Sequence, residues 1–302
     1  MRGRGGGHKV REWDFPDFPV AEGLRRTCAR DPSRMEWLGK LPELVHELAE
    51  RWQLTPGPLL GEEDTTCSYV AAVTCADGTP AVLKVAMPHM EGEHEIAALR
   101  FWDGDGAVRL LAGDEASGAM LLERCVPGTP LHTLPEPEQD VIIAGLLRRL
   151  WRKPAAPHPF RPLAVMTEAW ANETLANEAV WRDPVLVREG LRLFAELPRS
   201  AAEEVLLATD LHAGNVLRAE REPWLAIDPK PFVGDPAYDA TQHLFNCLPR
   251  VMRDPFGVIQ RFSDLLEVDA ERVRLWMFAR TAAETADDWP VDPLPLARLL
   301  AP

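Results

Sequence analysis

Leu41, Val45, Leu48 and Trp52 recur at helical spacing and predict a helix over 41–52, ended by Pro56-Gly57-Pro58. Two β-prone runs follow, Cys67–Cys75 and Ala81–Met87, joined by Ala76-Asp77-Gly78-Thr79-Pro80 with Asp-Gly as a hairpin signal. Glu91–Trp102 reads as a helix with Ile96, Leu99 and Trp102 on one face. Val108–Leu111 and Met120–Cys125 are further short strands, separated by the turn-like stretch Gly113–Gly118. The order strand, strand, helix, strand, strand describes an α+β unit rather than a repeated βαβ sheet. Ahead of it, residues 1–30 are Gly/Arg-rich and then interrupted by prolines, and they predict a loosely packed N-terminal arm.

Val126-Pro127-Gly128-Thr129-Pro130 marks a boundary, and beyond it the pattern turns mainly helical. Helices are expected near Glu136–Trp151, Val165–Trp181, Val185–Leu197, Ala237–Cys247, Pro255–Leu266 and Asp269–Asp287. A β-rich island, Glu204–Asp228, interrupts them. The expected organisation is therefore an arm over 1–30, a small β-rich lobe over 31–126 and a larger helical lobe over 127–302.

Composition narrows the classes of function. The chain has 302 residues, 46% hydrophobic and 26% charged, as expected of a protein that buries a sizeable core. No run approaches the roughly 18 uncharged apolar residues of a membrane span. The N-terminal stretch has no apolar signal region, so a cytoplasmic location and no membrane partner are expected. With 33 basic against 47 acidic residues the net charge is −14, which argues against a general nucleic-acid binder and suits a cationic small molecule. The five cysteines are scattered without a CxxC pair, so neither a zinc site nor a disulfide framework is indicated. Only five lysines occur, which makes Lys84, set between Leu83 and Val85 in an apolar strand, stand out.

The island carries the chemistry. It reads Leu207-Ala208-Thr209-Asp210-Leu211-His212-Ala213-Gly214-Asn215-Val216-Leu217, and after a polar turn it continues as Leu225-Ala226-Ile227-Asp228-Pro229-Lys230. An Asp, an Asn five residues on and an Asp thirteen beyond that are oxygen donors suited to a hard cation such as Mg²⁺ plus one base. Enzymes that transfer phosphoryl groups build such a loop: one Asp takes the hydroxyl proton, an Asn and a second Asp hold metal, and an upstream lysine grips phosphates. A lone Asp-x-His would read as turn chemistry, and the alternative reading of Lys84 is an edge-strand lysine facing solvent. Asp235, before Pro236 and a helical run, reads as a helix N-cap.

Asp210–Asn215, with Ile227-Asp228 and the longer run IDPKPFVGDPAYD, resembles the aminoglycoside phosphotransferase family, in particular the branch of the streptomycin 6-phosphotransferases and hydroxyurea kinases. The resemblance extends from about Leu41 to Asp288 and implies a two-lobed protein-kinase-like fold. It implies Asp210 as catalytic base, Asn215 and Asp228 as Mg²⁺ ligands, Lys84 as the phosphate-gripping lysine and Glu95 as the helix acid paired with it. It further implies that Asp239 holds the catalytic loop from below and that Leu122-Glu123-Arg124-Cys125 is a hinge, with Glu123 and Cys125 offering backbone groups to adenine. Val82, Leu217 and Ile227 would be the apolar walls of that slot. No GxGxxG precedes the lysine, so the stretch from Gly61 to Ser68 must serve as the phosphate loop, through backbone N–H groups and the Ser68 hydroxyl.

The expected activity is ATP- and Mg²⁺-dependent phosphorylation of a small-molecule hydroxyl, with an aminoglycoside such as streptomycin as acceptor and antibiotic resistance as its role. Hydroxyurea, a sugar or another metabolite would use the same chemistry. A nucleotide-binding pseudokinase would have lost Asp210, Asn215 or Asp228, and a metal-dependent hydrolase would need more histidines than His212. Candidate acceptor residues are Glu284, Asp287, Asp288 and Trp289, then Glu173, Glu178, Trp170 and Trp181, since carboxylates and indole faces suit ammonium, guanidinium and sugar groups.

Overall fold

The computed structural model describes residues 18–61, 65–283 and 292–302. The chain divides into two compact units, one made of residues 1–88 and 109–124, the other of 89–108 and 125–302.

The first unit opens with α1 (Glu22–Cys28) and α2 (Pro32–Arg51). The Asp31 carboxylate caps α2 by accepting from the Ser33 N–H at 2.7 Å, and Pro32 takes the first helical position. The helix therefore begins about two turns before the predicted Leu41, and in those turns Trp37 and Leu38, four and three residues before Leu41, pack partly buried against the same core while Met35 is exposed. Five strands follow: β1 (Thr55–Leu59), β2 (Ser68–Thr74), β3 (Pro80–Ala86), β4 (Leu110–Asp114) and β5 (Ala119–Glu123). They form one antiparallel sheet in the order β1-β2-β3-β5-β4. The sequence pattern read Pro56-Gly57-Pro58 only as a break, yet it builds the edge strand β1, where a proline loses no needed ladder bond. Glycine is required at 57, since a Cβ there would lie 2.8 Å from the Ala72 carbonyl oxygen.

One face of the sheet buries Tyr69, Ala71, Val73, Leu83 and Val85 against Leu24, Cys28, Leu41, Val45 and Leu48 of the two helices. Residues 18–30, expected as part of a loose arm, are thus part of this core: Phe18, Ala21, Leu24 and Cys28 are buried, and the Phe18 ring stacks on Tyr69 at 5.2 Å. Their apolar residues are few, and their burial rests on α2 and the sheet rather than on a local period.

The second unit includes the segment 89–108, which the pattern assigned to the small lobe. After a turn over 90–94, α3 (Glu95–Trp102) is one turn shorter than predicted. It packs through Trp102, fully buried, whose indole N–H donates to the Leu150 carbonyl at 2.9 Å. Helices α4 (Glu136–Leu150), α5 (Leu163–Ala176) and α6 (Pro184–Glu196) follow. Four three-residue strands come next: β6 (Val205–Leu207), β7 (Val216–Arg218), β8 (Trp224–Ala226) and β9 (Phe232–Gly234). The rest is helical: α7 (Pro236–Phe245), α8 (Leu248–Arg253), α9 (Pro255–Leu266), α10 (Ala270–Ala283) and α11 (Leu294–Leu300). β9, α8 and α11 escape the pattern because six or seven residues, or three, are too few to establish a period. α5 ends before the predicted Trp181, giving way to a single 3₁₀ turn over Glu178–Val180. Leu147, Leu150, Tyr238, Phe262, Trp276 and Phe278 dominate the buried interior. Among the described residues no helix is long and apolar enough to cross a membrane.

Candidate active site

The island of short strands forms two hairpin-like pairs. β6 pairs antiparallel with β9, Leu207 opposite Phe232, and β7 pairs antiparallel with β8, Leu217 opposite Leu225. Asp210, His212 and Asn215 lie on the loop between β6 and β7, and Asp228 and Lys230 on the link between β8 and β9.

Three-residue strands hold a loop weakly, and a buried carboxylate supplies the rest. Asp239, on the first turn of α7, accepts the Ala208 N–H on Oδ2 at 3.0 Å and the Thr209 N–H on Oδ1 at 2.8 Å. Its Oδ2 also accepts the Trp151 indole N–H at 2.9 Å. Burial pushes the Asp239 carboxyl up to about 6, against the pull of the three donors. Thr209 takes a left-handed conformation, φ 50°, a cost to a β-branched residue that these bonds offset, and its hydroxyl donates to the Lys230 carbonyl at 2.5 Å. The Lys230 N–H returns a bond to the Ala208 carbonyl at 2.9 Å, so the two loops are laced together. Below them Asp235 caps α7 by accepting the Ala237 N–H at 3.1 Å, as its position before Pro236 predicts. Its other oxygen accepts from the Trp276 indole at 2.6 Å and from Arg272.

The Asp210 carboxylate is engaged on both oxygens. Lys230 Nζ donates to Oδ2 at 2.5 Å and Gln242 Nε2 to Oδ1 at 2.8 Å. Lys230 is therefore an ion-pair partner of Asp210. Asp210 and Asp228, with Glu91 more remotely, hold the Lys230 ammonium well above its ordinary range despite burial. His212 braces the turn: its Nδ1 accepts the Gly214 N–H at 3.1 Å, and a Cβ at 214 would lie 2.8 Å from the imidazole. Burial, with Lys230 nearby, keeps this imidazole below its usual range although Asp210 pulls the other way.

Asn215 closes the loop by donating its Nδ2 to the Asp210 carbonyl at 3.0 Å, which commits the amide nitrogen and makes Oδ1 the atom it could offer to a cation. The Ile227 N–H donates to the Asn215 carbonyl at 2.9 Å and sets Asp228, itself left-handed at φ 52°, on the next residue. Asn215 and Asp228 thus offer hard oxygen donors from adjacent backbone segments. Mg²⁺ needs only one or two such protein ligands, because water and phosphate oxygens complete its shell. Among the described residues no group of three or more His, Cys, Asp or Glu side chains is arranged to hold a metal ion by itself.

The remaining predicted residues divide between the units. In the first, Lys84 sits on β3 between β2 and β5, opposite Val70 and Met120, and is 5% exposed. It belongs to an interior strand and not to a solvent-facing edge. Ser68, buried, begins β2, and Val82 is half-buried on β3. Glu123 ends β5, its carboxylate accepting the Arg109 N–H at 3.0 Å. In the second unit, Glu95 is buried at the start of α3, Cys125 is buried, and Leu217 and Ile227 are half-buried on β7 and just after β8. Glu284, Asp287, Asp288 and Trp289, expected from sequence for the acceptor, lie outside the described residues, as do Glu62, Glu63 and Asp64 of the stretch expected to serve as phosphate loop. Of the other acceptor candidates, Glu173 is exposed and Glu178 pairs with Arg188 at 3.4 Å. One face of the Trp170 indole meets the chain's own Arg280 at 5.5 Å, and one face of Trp181 meets Arg188 at 5.8 Å.

Gln242 escapes the sequence reading. The signal was present, since it lies three residues after Asp239 and so on the same face of α7.

Residues 51–289 match the profile of the aminoglycoside/hydroxyurea antibiotic resistance kinase family. Streptomycin 6-kinase from Streptomyces glaucescens is 38% identical over 272 residues, 87% of this chain and 87% of its own. The hydroxyurea phosphotransferase from Kitasatospora aureofaciens is 38% identical over 255 residues, 81% of this chain and 72% of its own. Among solved structures, choline kinase LicA from Streptococcus pneumoniae has a TM-score of 0.57 at 12% identity, covering 82% of this chain and 88% of its own, a likeness of fold. The fold is that of the protein-kinase-like enzymes, and with relatives of this identity matched over most of their length, the chain belongs to the aminoglycoside/hydroxyurea antibiotic resistance kinase family.

Proposed function

We propose that this phosphotransferase uses ATP and Mg²⁺ to phosphorylate a hydroxyl group of an aminoglycoside of the streptomycin type, in the cytoplasm. The observation that carries the reading is the doubly anchored Asp210 carboxylate, on one loop with Asn215, whose amide nitrogen bonds the Asp210 carbonyl, and 18 residues before Asp228. Asp210 is the general base. Held by Lys230 and Gln242, it retains lone pairs for the proton that leaves the acceptor hydroxyl. Asn215 and Asp228 hold Mg²⁺, which when bound neutralises charge on the transferring phosphoryl group. Lys84 engages the nucleotide phosphates, Glu95 is the helix acid of the kinase pattern, and Ser68 lends its hydroxyl to the phosphate loop. Glu123 and Cys125 present backbone groups to adenine, with Val82, Leu217 and Ile227 as apolar surface. The net charge of −14 favours approach of a polycation.

Streptomycin comes from the relatives that phosphorylate it at 37–38% identity. Hydroxyurea is the second reading, favoured by a relative at 38% identity. An ADP-release screen over streptomycin, other aminoglycosides, hydroxyurea and simple sugars separates them. Streptomycin-dependent release is expected, and turnover with hydroxyurea or sugars alone would replace the aminoglycoside reading. Asp210→Asn is expected to lower kcat by about 10²–10⁴ with ATP affinity retained, as for loss of a general base. An unchanged kcat would remove Asp210 from that role.

A further inference from the structure

Behind Asp210 lies a chain of contacts that the phosphotransfer chemistry above does not use. Gln242 donates from Nε2 to Asp210 Oδ1 at 2.8 Å, and its Oε1 accepts from Arg280 Nη1 at 3.1 Å. The same Arg280 nitrogen donates to the Thr241 hydroxyl at 2.8 Å, which donates to the Tyr238 carbonyl at 2.8 Å. Arg280 is 8% exposed, and its guanidinium lies over the rings of Trp170, Tyr238 and Phe245 at 5.5, 5.3 and 4.9 Å. A guanidinium lined on several sides by aromatic rings is held by cation–π attraction as well as by its hydrogen bonds.

The polarity of this chain is determined. Arg280 has only donors, so the Gln242 atom facing it must be the oxygen, and the atom facing Asp210 must be the NH₂. The primary amide cannot rotate by 180° without setting an N–H against a guanidinium and an oxygen against a carboxylate. Lys230, the other partner of Asp210, is a compact charge on a flexible stem and attracts without prescribing a plane. Gln242 projects from α7, three residues after Asp239, which holds the backbone of Ala208 and Thr209. One face of one helix therefore holds both the loop backbone and the carboxylate at its head.

We propose that Gln242 and Arg280 are positioning residues for phosphoryl transfer: Arg280 orients the Gln242 amide, and Gln242 orients the plane of the Asp210 carboxylate toward the acceptor hydroxyl. The inference rests on the reading of Asp210 as the base. Positioning of this kind acts on kcat, since a small misplacement of a reacting group costs far more in the transition state than in nucleotide binding.

Gln242→Glu tests it, because the substitution is nearly isosteric, keeps and strengthens the contact with Arg280, and puts an oxygen where the donor to Asp210 was. The expected result is a kcat lower by roughly 10–100-fold. The melting temperature should change by only a few degrees, since the gain at Arg280 offsets the repulsion from Asp210, and KM for ATP should stay within about twofold. A residue that only joined α7 to α10 would give a variant as active as it is stable, so a kcat within about threefold of wild type overturns the proposal. Gln242→Leu should lower kcat comparably. In that background Arg280→Met should lower kcat no further, because the relay is already cut. An equal further loss would show that Arg280 acts by another route, and if Arg280→Met does not fold, the two Gln242 variants decide. Asp210→Ala measured alongside keeps the two claims apart. An active Asp210→Ala overturns the base assignment and the relay together, whereas an inactive Asp210→Ala beside a normal Gln242→Glu overturns the relay alone.

Discussion

Lys84 and Lys230 are held in opposite ways. Lys84 lies midway along a seven-residue strand with a ladder on either side, opposite Val70 and Met120, over a core of alternating apolar residues. Its backbone position is set by many equivalent hydrogen bonds. Lys230 follows a left-handed residue, Asp228, between strands of three residues, and its surroundings are held by side chains bonded to backbone: Asp239 to Ala208 and Thr209, Thr209 to Lys230, Asn215 to Asp210. A ladder distributes the loss of one contact over its neighbours. A loop tied by single carboxylates and amides does not, and it permits the left-handed residues and convergent oxygens that a regular strand excludes.

Of the changes that test this contrast, Asp239→Asn should act most broadly, lowering stability and turnover together. The variant keeps one acceptor oxygen for three buried donors, those of Trp151, Ala208 and Thr209, and should lose about 2–4 kcal/mol of stability in urea denaturation. Its kcat under folding conditions should fall by at least about tenfold, since the loop backbone loses its anchor. Stability loss with normal turnover would show that β6 and β9 position the loop unaided, and the contrast with the sheet would fail.

Leu83→Ala is the matching perturbation in the ladder. Leu83 is fully buried beside Lys84, and its truncation should cost about 2–5 kcal/mol through the cavity left behind. Activity per folded molecule, with the folded fraction measured by circular dichroism, should nevertheless stay within about twofold, because the backbone bonds of β3 do not depend on that side chain. A parallel loss of kcat would mean that the position of Lys84 depends on packing as sharply as that of Asp210 depends on its bonds.

The smallest effect should come from His212. Its Nδ1 accepts the Gly214 N–H only while unprotonated, and burial holds the imidazole below its ordinary range. The folded form therefore binds a proton less readily than the unfolded chain. The stability it contributes is present above about pH 6.5 and is lost as the pH falls from there toward the lower folded value. His212→Asn retains an acceptor two residues before the Gly214 N–H without a titrating group. The wild-type Tm minus the variant Tm should decrease by a few degrees between pH 7.5 and about pH 5.5. A difference that does not change with pH would mean that the imidazole is not the acceptor that braces the turn.

The sequence by itself determined what depends on neighbours within a turn or a strand. The periods of two and of 3.6 residues carried β2, β3, α4, α6, α7 and α9, and the spacing of Asp210, Asn215 and Asp228 carried the chemistry and the family. Asp235 was legible as a cap because capping is a contact across two residues. Only the tertiary structure decided that residues 18–30 enter a core, that residues 89–108 belong with the second unit, that a Pro-Gly-Pro segment pairs as an edge strand, and that an arginine lies over one face of each of Trp170 and Trp181. It alone paired Lys230 with Asp210, 20 residues apart, and Arg280 with Gln242, 38 apart. The reason is physical: a local period records which side of an element faces the interior, while the partner met there is chosen by how the chain closes, and no spacing along the sequence encodes it.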